Sequence, residues 1–299
     1  MTMQLTVAIP TYRREQVLLE TIAYVLALRQ EATEILVIDQ TEVHQPATSA
    51  RLADLALAGQ IVWVRRDVPS ITAAMNHALK MARGDVVLFI DDDVRPEPAL
   101  LAAHLQAHEQ HPDGLVAGRV IQPWQEGADL ESASAPDGFH FASTRPAFIR
   151  EFMGGNFSVR RELACALGGF DENFVRVAYR FEAEFAHRVL ASGRRIFYEP
   201  TACLHHLKAV TGGTRTFGEH LTTWRPDHAV GAYYYGLRTG TMKEFLVRPW
   251  RAIATRYHLR HPWRIPATLL AELTGMAWAV ALFLRGPRCL PPITEKPRA

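Results

Sequence analysis

The sequence is poor in cysteine and lacks the spacings that mark cysteine-based sites. Its 299 residues include three cysteines, Cys165, Cys203 and Cys289. An odd number without a CxxC pair argues against a disulfide framework and favours a reducing compartment. The N-terminus runs into an apolar segment at 5–9 without a basic leader region or a cleavage-like site. We therefore expect cytosolic residence.

The chain also lacks a strong charge imbalance. Its net charge is +2, with 48% hydrophobic and 21% charged residues, which is an ordinary globular composition. The length suffices for one large α/β domain or two small ones, each with a substantial core. The charge balance gives no reason to expect a nucleic-acid partner.

Strand and helix signals alternate four times before residue 91. Apolar segments at 5–9, 34–39, 61–64 and 86–90 have the length and composition of strands, and helical patterns lie between them. This alternation predicts an α/β fold with a mostly parallel sheet covered by helices. No GxGxxG motif follows the first strand, so the dinucleotide fingerprint of a dehydrogenase is missing.

Three consecutive acids, Asp91, Asp92 and Asp93, end the fourth strand. Residues 86–90 are too apolar for the surface, so we expect a buried central strand that delivers carboxylates at its C-terminal end. Open α/β sheets bind ligands at that edge. Adjacent carboxylates repel one another unless a cation or a solvated turn relieves them, and Mg²⁺ and Mn²⁺ prefer oxygen ligands. A metal site and a solvated acidic turn are the two alternatives.

Other polar residues follow the neighbouring strands. Thr11 and Arg13 come after the first strand and Asp39 after the second. Together with the acids they suit a nucleotide base, a ribose and a metal-bound diphosphate. The alternatives are that Arg13 is a solvated first-turn residue and that Asp39 caps a turn.

The second half of the chain contains further candidates. The paired glycines Gly154 and Gly155 let the backbone approach a ligand or another strand. The predicted helix 179–190 carries Glu182 and Glu184, which are two residues apart and cannot share one helical face. We expect one glutamate in a site and the other in solvent. Further along, His205 and His206 are either satisfied histidines or metal ligands, and no second Cys/His pair supports a zinc finger. A long loop is predicted at 129–146.

The composition shifts from residue 243 onward. Basic and aromatic residues interleave over 248–264, no acid lies between Glu244 and Glu272, and an apolar segment follows at 267–284. This segment is an interfacial amphipathic helix, a helix packed on the core or a partner, or a membrane span. The basic and aromatic residues favour peripheral contact of 248–288 with an anionic membrane surface over nucleic acid.

Taken together, the motifs resemble those of the family 2 glycosyltransferases with the GT-A fold, over about residues 5–210. The opening strand with its Pro-Thr-Tyr turn, the second strand at 37–41, the helix at 73–79, the Asp-x-Asp element and the glycine-rich signatures at 154–158 and 168–174 occur in the family's order. An Asn usually stands where this chain has Arg13.

The resemblance implies a set of site residues. It implies nucleotide-sugar contacts from Pro10, Thr11, Tyr12, Arg13, Asp39, Asn76, Asp91 and Asp92. It implies acceptor contacts from Gly154, Gly155, Asn156 and Asp171. It implies a Mn²⁺ or Mg²⁺ ion held by Asp93, Asp91 and one histidine, His206 or His205.

The chain departs from the family at the catalytic base. The family usually carries Glu-Asp at the start of the acceptor-side helix, with an Arg six residues after that Asp. Counting back from Arg188 places Phe181 and Glu182 at that pair. The resemblance therefore implies Glu182 as the base, with Glu184 as the substitute.

These implications predict a metal-dependent, inverting glycosyltransferase. It would move a sugar from a nucleotide-diphosphate donor to a hydroxyl of a saccharide or lipid-linked acceptor, in the cytoplasm and at the inner face of the membrane. A non-catalytic sugar-nucleotide-binding scaffold is the alternative, and a nucleotidyltransferase would need a Gly-rich basic loop that is missing. We expect a GT-A domain at 1–210, divided at 121 into nucleotide and acceptor halves, and a helical extension at 211–299.

Overall fold

A computed structural model describes residues 3–29, 33–126, 140–218 and 220–291. Most of the loop predicted at 129–146 and the last eight residues of the predicted extension lie outside the described residues.

The strands build one continuous sheet in the described part of the chain. They are β1 (Leu5–Thr11), β2 (Thr33–Asp39), β3 (Val62–Arg65), β4 (Val86–Ile90), β5 (Val94–Pro96), β6 (Leu115–Ile121), β7 (Ala147–Ile149), β8 (Asn156–Arg160) and β9 (Ile196–His206). Their order is β3-β2-β1-β4-β8-β6-β9-β5, and β7 pairs with β9.

The helices cover both faces of this sheet and continue into a C-terminal helical layer. They are α1 (Gln16–Ala27), α2 (Pro46–Leu57), α3 (Ile71–Met81), α4 (Leu100–Gln110), α5 (Arg161–Ala166), α6 (Phe181–Ala191), α7 (Ala229–Thr239), α8 (Met242–Ile253), α9 (Arg256–Arg260) and α10 (Ile265–Leu284). The predicted α/β class is confirmed.

The parallel part of the sheet is the predicted one. Strands β3, β2, β1 and β4 are parallel neighbours joined through α1, α2 and α3. Beyond β4 the sheet is mixed, because β8 runs antiparallel to both β4 and β6. The chain enters β8 at the carboxyl end of β4, where Asn156 pairs with Ile90, and must run back from that edge.

Strand β4 is the buried centre of the fold, as its composition predicts. All five of its residues are buried, and alternate side chains enter different cores. Val87 and Phe89 face the layer of α3, α5 and α6, whereas Val86, Leu88 and Ile90 face α1 and α4. This two-residue period follows from the pleat of a strand. The acids after Ile90 are therefore held at the edge of a rigid sheet.

Helix α10 packs one face on the protein and leaves the other open. Its buried positions recur every three or four residues and include Ala271, Gly275 and Ala279, as expected for one side of a helix. The opposite side exposes Leu270, Leu273 and Leu284, among others. Residues Pro262–Leu284 form a helical stretch that is long and apolar enough to cross a membrane, with 33% of the relevant window buried against the protein.

Candidate functional site

A cavity of about 350 Å³ opens at the carboxyl edge of the parallel strands. Its walls come from the ends of β1 and β4, the glycine pair before β8, the start of α6 and a 3₁₀ turn at Gly213–Phe217. Open α/β sheets bind ligands at this edge. The predicted site residues that line it are Pro10, Thr11, Tyr12, Asp91, Asp92, Asp93, Gly154, Gly155, Glu182 and His206.

Strand pairing brings two acids and one histidine together in this cavity. Val94 pairs with His206 across β5 and β9, which places the imidazole beside the acids that precede β5. His206 Nε2 lies 3.2 Å from Oδ1 of Asp93 and 4.0 Å from Oδ2 of Asp91. One potential ligand atom from each residue lies within 4.8 Å of the others. We call these three residues the acid–histidine cluster.

The acid–histidine cluster fits a divalent cation. Two carboxylates and an imidazole are oxygen and nitrogen donors of the kind that Mn²⁺ accepts. Burial opposes the negative charge of Asp93, but the hydrogen bond and charge of His206 lower its pKa below the ordinary value. Burial also raises the pKa of Asp91, whose side chain is still 42% exposed to the cavity. The crowded negative charge at Asp91 and Asp93 would be relieved by a cation.

The glycine pair explains how β8 can begin beside these acids. A Cβ on Gly155 would lie 2.2 Å from Oδ2 of Asp91, and one on Gly154 would lie 2.9 Å from the ring of Phe181. Any side chain at 155 would therefore push the Asp91 carboxylate aside. The expected close approach at this pair is to a site carboxylate and to the first residue of α6 instead of to another strand, and an approach to a ligand stays a prediction.

Asp92 is held by the protein itself. Its carboxylate accepts a hydrogen bond of 2.7 Å from the Thr11 hydroxyl and one of 3.1 Å from Nε of Arg14. Burial nevertheless raises the pKa of Asp92 to about 7. Arg14 also reaches Oδ2 of Asp93 at 3.3 Å and donates to the backbone carbonyl of Thr211. This buried guanidinium fastens the segment after β9 over the acids.

Arg14 and Arg215 are site residues that the sequence reasoning missed. The Arg13-Arg14 pair follows β1 at the ligand-binding edge of the sheet, and this position could have signalled one inward arginine. Arg13 is the exposed member and pairs with Glu42 at 2.9 Å. Arg215 lies in the predicted extension, and its distance in sequence from the acids hid its role.

Arg215 offers an open donor to the cavity. Its Nη1 lies 4.0 Å from Oδ2 of Asp93. This nitrogen is buried, and no hydrogen-bond partner for it exists among the residues that the structure describes. A buried donor without a partner is costly, so a ligand oxygen at this position would be stabilised.

Glu182 is the acid that α6 contributes to the lining of the cavity. Its Oε2 is buried and has no hydrogen-bond partner within the described ranges. Burial raises the pKa of Glu182 to about 7, and the backbone and Arg180 offset this only in part. A carboxylate with a pKa near neutrality can both lose and accept a proton at physiological pH.

Glu184 has a different environment, and the expectation that the glutamate outside the site would be solvated is wrong. It is 2% exposed and pairs with Arg188 at 2.8 Å and with Arg238 of α7 at 3.4 Å. Position 184 faces the helical layer, because two residues turn a helix by about 200°. The structure thus assigns Glu184 to packing contacts between α6 and α7.

Three predicted residues are buried away from the cavity and bond within the protein. Asn76 exchanges hydrogen bonds with the backbone of Phe170. Asn156 bonds to His104 and to two backbone carbonyls. Asp171 accepts from the Tyr234 hydroxyl at 2.7 Å and joins the sheet domain to α7. Their predicted ligand contacts stay predictions, and the structure gives each a structural partner.

Two further candidates lie behind the site. Asp39 is fully buried, and its Oδ2 accepts from Trp63 at 2.9 Å and lies 2.8 Å from a ring nitrogen of His44. His205 faces away from the acids and bonds to Glu97 at 2.8 Å, because neighbouring residues of β9 point to opposite sides. Of the two histidine candidates, the structure places only His206 in the acid–histidine cluster.

The sheet with helices on both faces has the fold of the GT-A glycosyltransferases, and solved structures of this class superpose on it. The chain superposes on GalNAc-T7 with UDP, GalNAc and Mn²⁺ at a TM-score of 0.59 and 14% identity, over 80% of this chain and 51% of that one. It superposes on the mannosyltransferase PcManGT from Pyrobaculum calidifontis in complex with GDP-Man and Mn²⁺ at a TM-score of 0.57 and 20% identity, over 96% of this chain and 80% of that one.

The sequence itself establishes the family. The model of glycosyl transferase family 2 matches residues 6–167, and the chain therefore belongs to this family. It is 24% identical over 227 residues to a glucosyl-dolichyl phosphate glucuronosyltransferase of Haloferax volcanii. The aligned residues cover 68% of this chain and 69% of that protein. It is 29% identical over 121 residues to an uncharacterized glycosyltransferase, YfnE, of Bacillus subtilis. The aligned residues cover 39% of this chain and 30% of that protein. The protein is a glycosyltransferase with a GT-A fold.

Proposed function

We propose that this glycosyltransferase moves a sugar from a nucleotide-diphosphate donor to a hydroxyl of a lipid-linked acceptor, with inversion at the anomeric carbon. The observation that carries the proposal is that Oε2 of Glu182, which has no hydrogen-bond partner among the described residues, belongs to a side chain that lines the same cavity as the acid–histidine cluster. An inverting transfer needs one base and one charge-stabilised leaving group on opposite sides of a sugar. The name of the Haloferax volcanii relative supports a lipid-linked acceptor.

The donor side of the cavity is suited to a diphosphate. Asp91, Asp93 and His206 would hold a divalent cation, which supplies positive charge against the phosphates of the leaving nucleotide. We take Mn²⁺ as the first choice over Mg²⁺, because an imidazole suits a transition metal better and both solved neighbours carry Mn²⁺. The open Nη1 of Arg215 adds a charge-assisted donor to the same phosphates.

The acceptor side is organised around Glu182. Its carboxylate takes the proton of the acceptor hydroxyl while the hydroxyl oxygen attacks the anomeric carbon. The bond from that carbon to the diphosphate breaks on the opposite face, so one bond forms as another is lost and the configuration inverts. For this step Glu182 must lie within about 3 Å of the hydroxyl in the substrate complex. Its pKa near 7 suits a base that operates at neutral pH.

The catalytic role is tested by nucleotide-diphosphate release. Donors are screened with Mn²⁺, with and without a lipid-linked saccharide, for wild type, Glu182→Gln and the exposed control Glu109→Gln on α4. General-base assistance is worth about 10²- to 10⁴-fold, so Glu182→Gln should lower turnover by that order and keep donor binding. Full activity of Glu182→Gln would overturn the assignment. Donor binding by the wild type without turnover on any acceptor would indicate a scaffold instead.

The metal is tested by calorimetry. Wild-type protein should take up Mn²⁺ in the presence of nucleotide, and Asp93→Asn should lose this uptake because a carboxylate ligand is replaced by a neutral amide. Equal uptake by the two proteins would exclude the acid–histidine cluster as the site.

We also propose that the protein works at the cytoplasmic membrane surface through α8 to α10. The open face of α10 exposes Leu273 by 58% and Leu284 by 79%, and Trp250 and Trp263 nearby are 70% and 68% exposed. Tryptophan beside basic residues is typical of the membrane–water interface. Vesicle flotation should recover the wild type with anionic vesicles, and Leu273→Glu should weaken this recovery. If the same amount of protein floats with or without Leu273→Glu, and with or without anionic lipid, the result would count against membrane contact.

A further inference from the structure

A second cavity of about 330 Å³ lies in the helical layer, between the start of α7, α8 and α10. Three arginines line it, namely Arg225, Arg248 and Arg251. Among the described lining residues a single carboxylate, Glu272, opposes them. The lining is therefore positively charged, which suits an anion.

The floor of this cavity is rigid. Arg248 lies 3.1 Å from Glu272 and within 6 Å of the ring centres of Tyr179 and Tyr233. Glu272 also accepts a 2.6 Å hydrogen bond from the Tyr233 hydroxyl. The Glu272 carboxylate therefore binds both the Tyr233 hydroxyl and the Arg248 guanidinium. Nε of Arg248 is buried and lacks a hydrogen bond of good geometry within the described chain.

The rim is more open than the floor. Arg251 is an exposed residue of α8, and Arg225 precedes α7 and pairs with Asp227 at 2.9 Å. The guanidinium groups of these arginines can reach a phosphate with two parallel hydrogen bonds each, a geometry that lysine does not offer.

The second cavity adjoins the catalytic one. Tyr179 lines both, and it lies three residues before the proposed base Glu182. Asp227 is buried between the two cavities and pairs with Arg225 on one side and with Arg176 of the catalytic cavity on the other. A ligand could therefore occupy the second cavity while its far end reaches Glu182.

The second cavity also adjoins the exposed apolar surface. Trp224 and Trp250 are the chain neighbours of Arg225 and Arg251, and they are 66% and 70% exposed. Helix α10 lines the cavity with Thr268, Ala271 and Glu272, and the next residue, Leu273, is exposed on the open side. Anion-binding groups and lipid-facing groups thus meet at one rim.

We propose that this second cavity binds the phosphate group of a lipid-linked acceptor, with its hydrocarbon chain along the apolar surface and its sugar in the catalytic cavity. This inference rests on the proposed function for its acceptor class. The phosphate that joins a hydrocarbon chain to a sugar is a diester with one negative charge at neutral pH. This charge matches the excess of the three arginines over Glu272 and Asp227, the carboxylates that pair with two of them. The arrangement also fixes the distance between the lipid headgroup and the hydroxyl that Glu182 activates.

The test uses the full chain and defined vesicles. Phosphatidylcholine vesicles are doped either with a polyprenyl monophosphate or, at matched surface charge, with phosphatidylserine, and the dissociation constant is measured by co-sedimentation. Arg251→Gln and Arg225→Gln are compared with Arg260→Gln, an exposed arginine of α9 outside the cavity that makes the same change of charge.

We expect the wild type to prefer the phosphomonoester vesicles. Each cavity variant should weaken that binding by about ten- to a hundredfold, the effect of one charge-assisted hydrogen bond, and should raise the KM for a lipid-linked acceptor but not that for the donor. Arg260→Gln should weaken both kinds of vesicle equally and by no more than about fivefold. Equal binding to both vesicles, or equal losses in Arg251→Gln and Arg260→Gln, would overturn the inference.

Inorganic phosphate separates the two sources of a phosphate group. If free phosphate bound as tightly as the doped vesicles, the cavity would serve a soluble anion and the lipid assignment would be wrong. Nucleotide and Mn²⁺ uptake is measured on the same preparations. If the protein turns over its donor but does not prefer the phosphomonoester vesicles, only the phosphate site is wrong. If it prefers these vesicles but does not turn over any donor, only the proposed transferase mechanism is wrong.

Discussion

Replacing Glu182 by glutamine should stabilise the folded protein above neutral pH while it removes turnover. Oε2 of Glu182 is buried in the cavity wall without a hydrogen-bond partner among the described residues, and burial raises the pKa of this carboxyl group from 4.5 to about 7. The ionised form is thus penalised in the folded state. Glutamine occupies nearly the same volume without a charge.

The sign of the pH dependence follows from proton binding. The unfolded chain releases this proton near pH 4.5, whereas the folded protein holds it until about pH 7. Between these values the folded state binds more protons, so the free energy of unfolding falls as the pH rises and levels off above pH 7. The difference between a pKa of 4.5 and one of about 7 corresponds to at most about 3.4 kcal/mol. Because Glu182 is partly open to the water of the cavity, we expect a stabilisation of about 1–2 kcal/mol in Glu182→Gln.

The assay is urea unfolding from pH 5 to pH 8, followed by tryptophan fluorescence in metal-free buffer. The difference between Glu182→Gln and the wild type should grow from about a quarter of its full value at pH 5 to its full value at pH 8. Glu109→Gln, an exposed control, should show no such growth. A difference that does not change with pH, or a variant less stable than the wild type at pH 8, would refute the claim that burial raises the pKa of Glu182. In the wild type, kcat/KM should fall about tenfold per pH unit below pH 7 if Glu182 is the base.

Two other substitutions test residues around the cavity, one through metal affinity and one through the stability of the fold. Gly155→Ala should displace the Asp91 carboxylate, because the new Cβ would lie 2.2 Å from it, and should lower Mn²⁺ affinity in calorimetry. The control Gly236→Ala meets no atom closer than 3.5 Å and should leave Mn²⁺ uptake at the wild-type level. Glu184→Gln should destabilise the fold by about 3 kcal/mol in urea at pH 7, opposite in sign to Glu182→Gln, because it leaves the charge of Arg188 poorly compensated. A neutral or stabilising effect of Glu184→Gln would show that the α6–α7 ion pairs carry no net stability.

The first half of the fold could be predicted because its signals are local. Strands β1 to β4 and the helices between them follow from apolar runs, helical periods and turn residues within short windows. The second half depends on pairings between distant residues. Strand β9 pairs with β6, β5 and β7, and β8 inserts antiparallel between β4 and β6. Such pairings leave little trace in local composition.

The candidate site likewise contains residues that could be predicted from the sequence and residues that could not. That acids after a central strand lie at a ligand-binding edge follows from sheet geometry, and the structure does place Asp91 and Asp93 in the cavity. Arg14 and Arg215 could not be assigned from sequence, because their relation to the acids depends on how the segment after β9 folds over them. The choice of His206 over His205 needed only the register of β9, which is itself a tertiary fact.

The sequence by itself determined the α/β alternation, the acid-tipped central strand and the family motifs, because each depends on residues close together in the chain. The tertiary structure alone decided which glutamate faces the cavity, which histidine joins the acids and that a second, arginine-lined cavity adjoins the first. Those facts depend on burial and on the distance between side chains far apart in sequence. Composition and spacing do not encode such distances until the chain has folded.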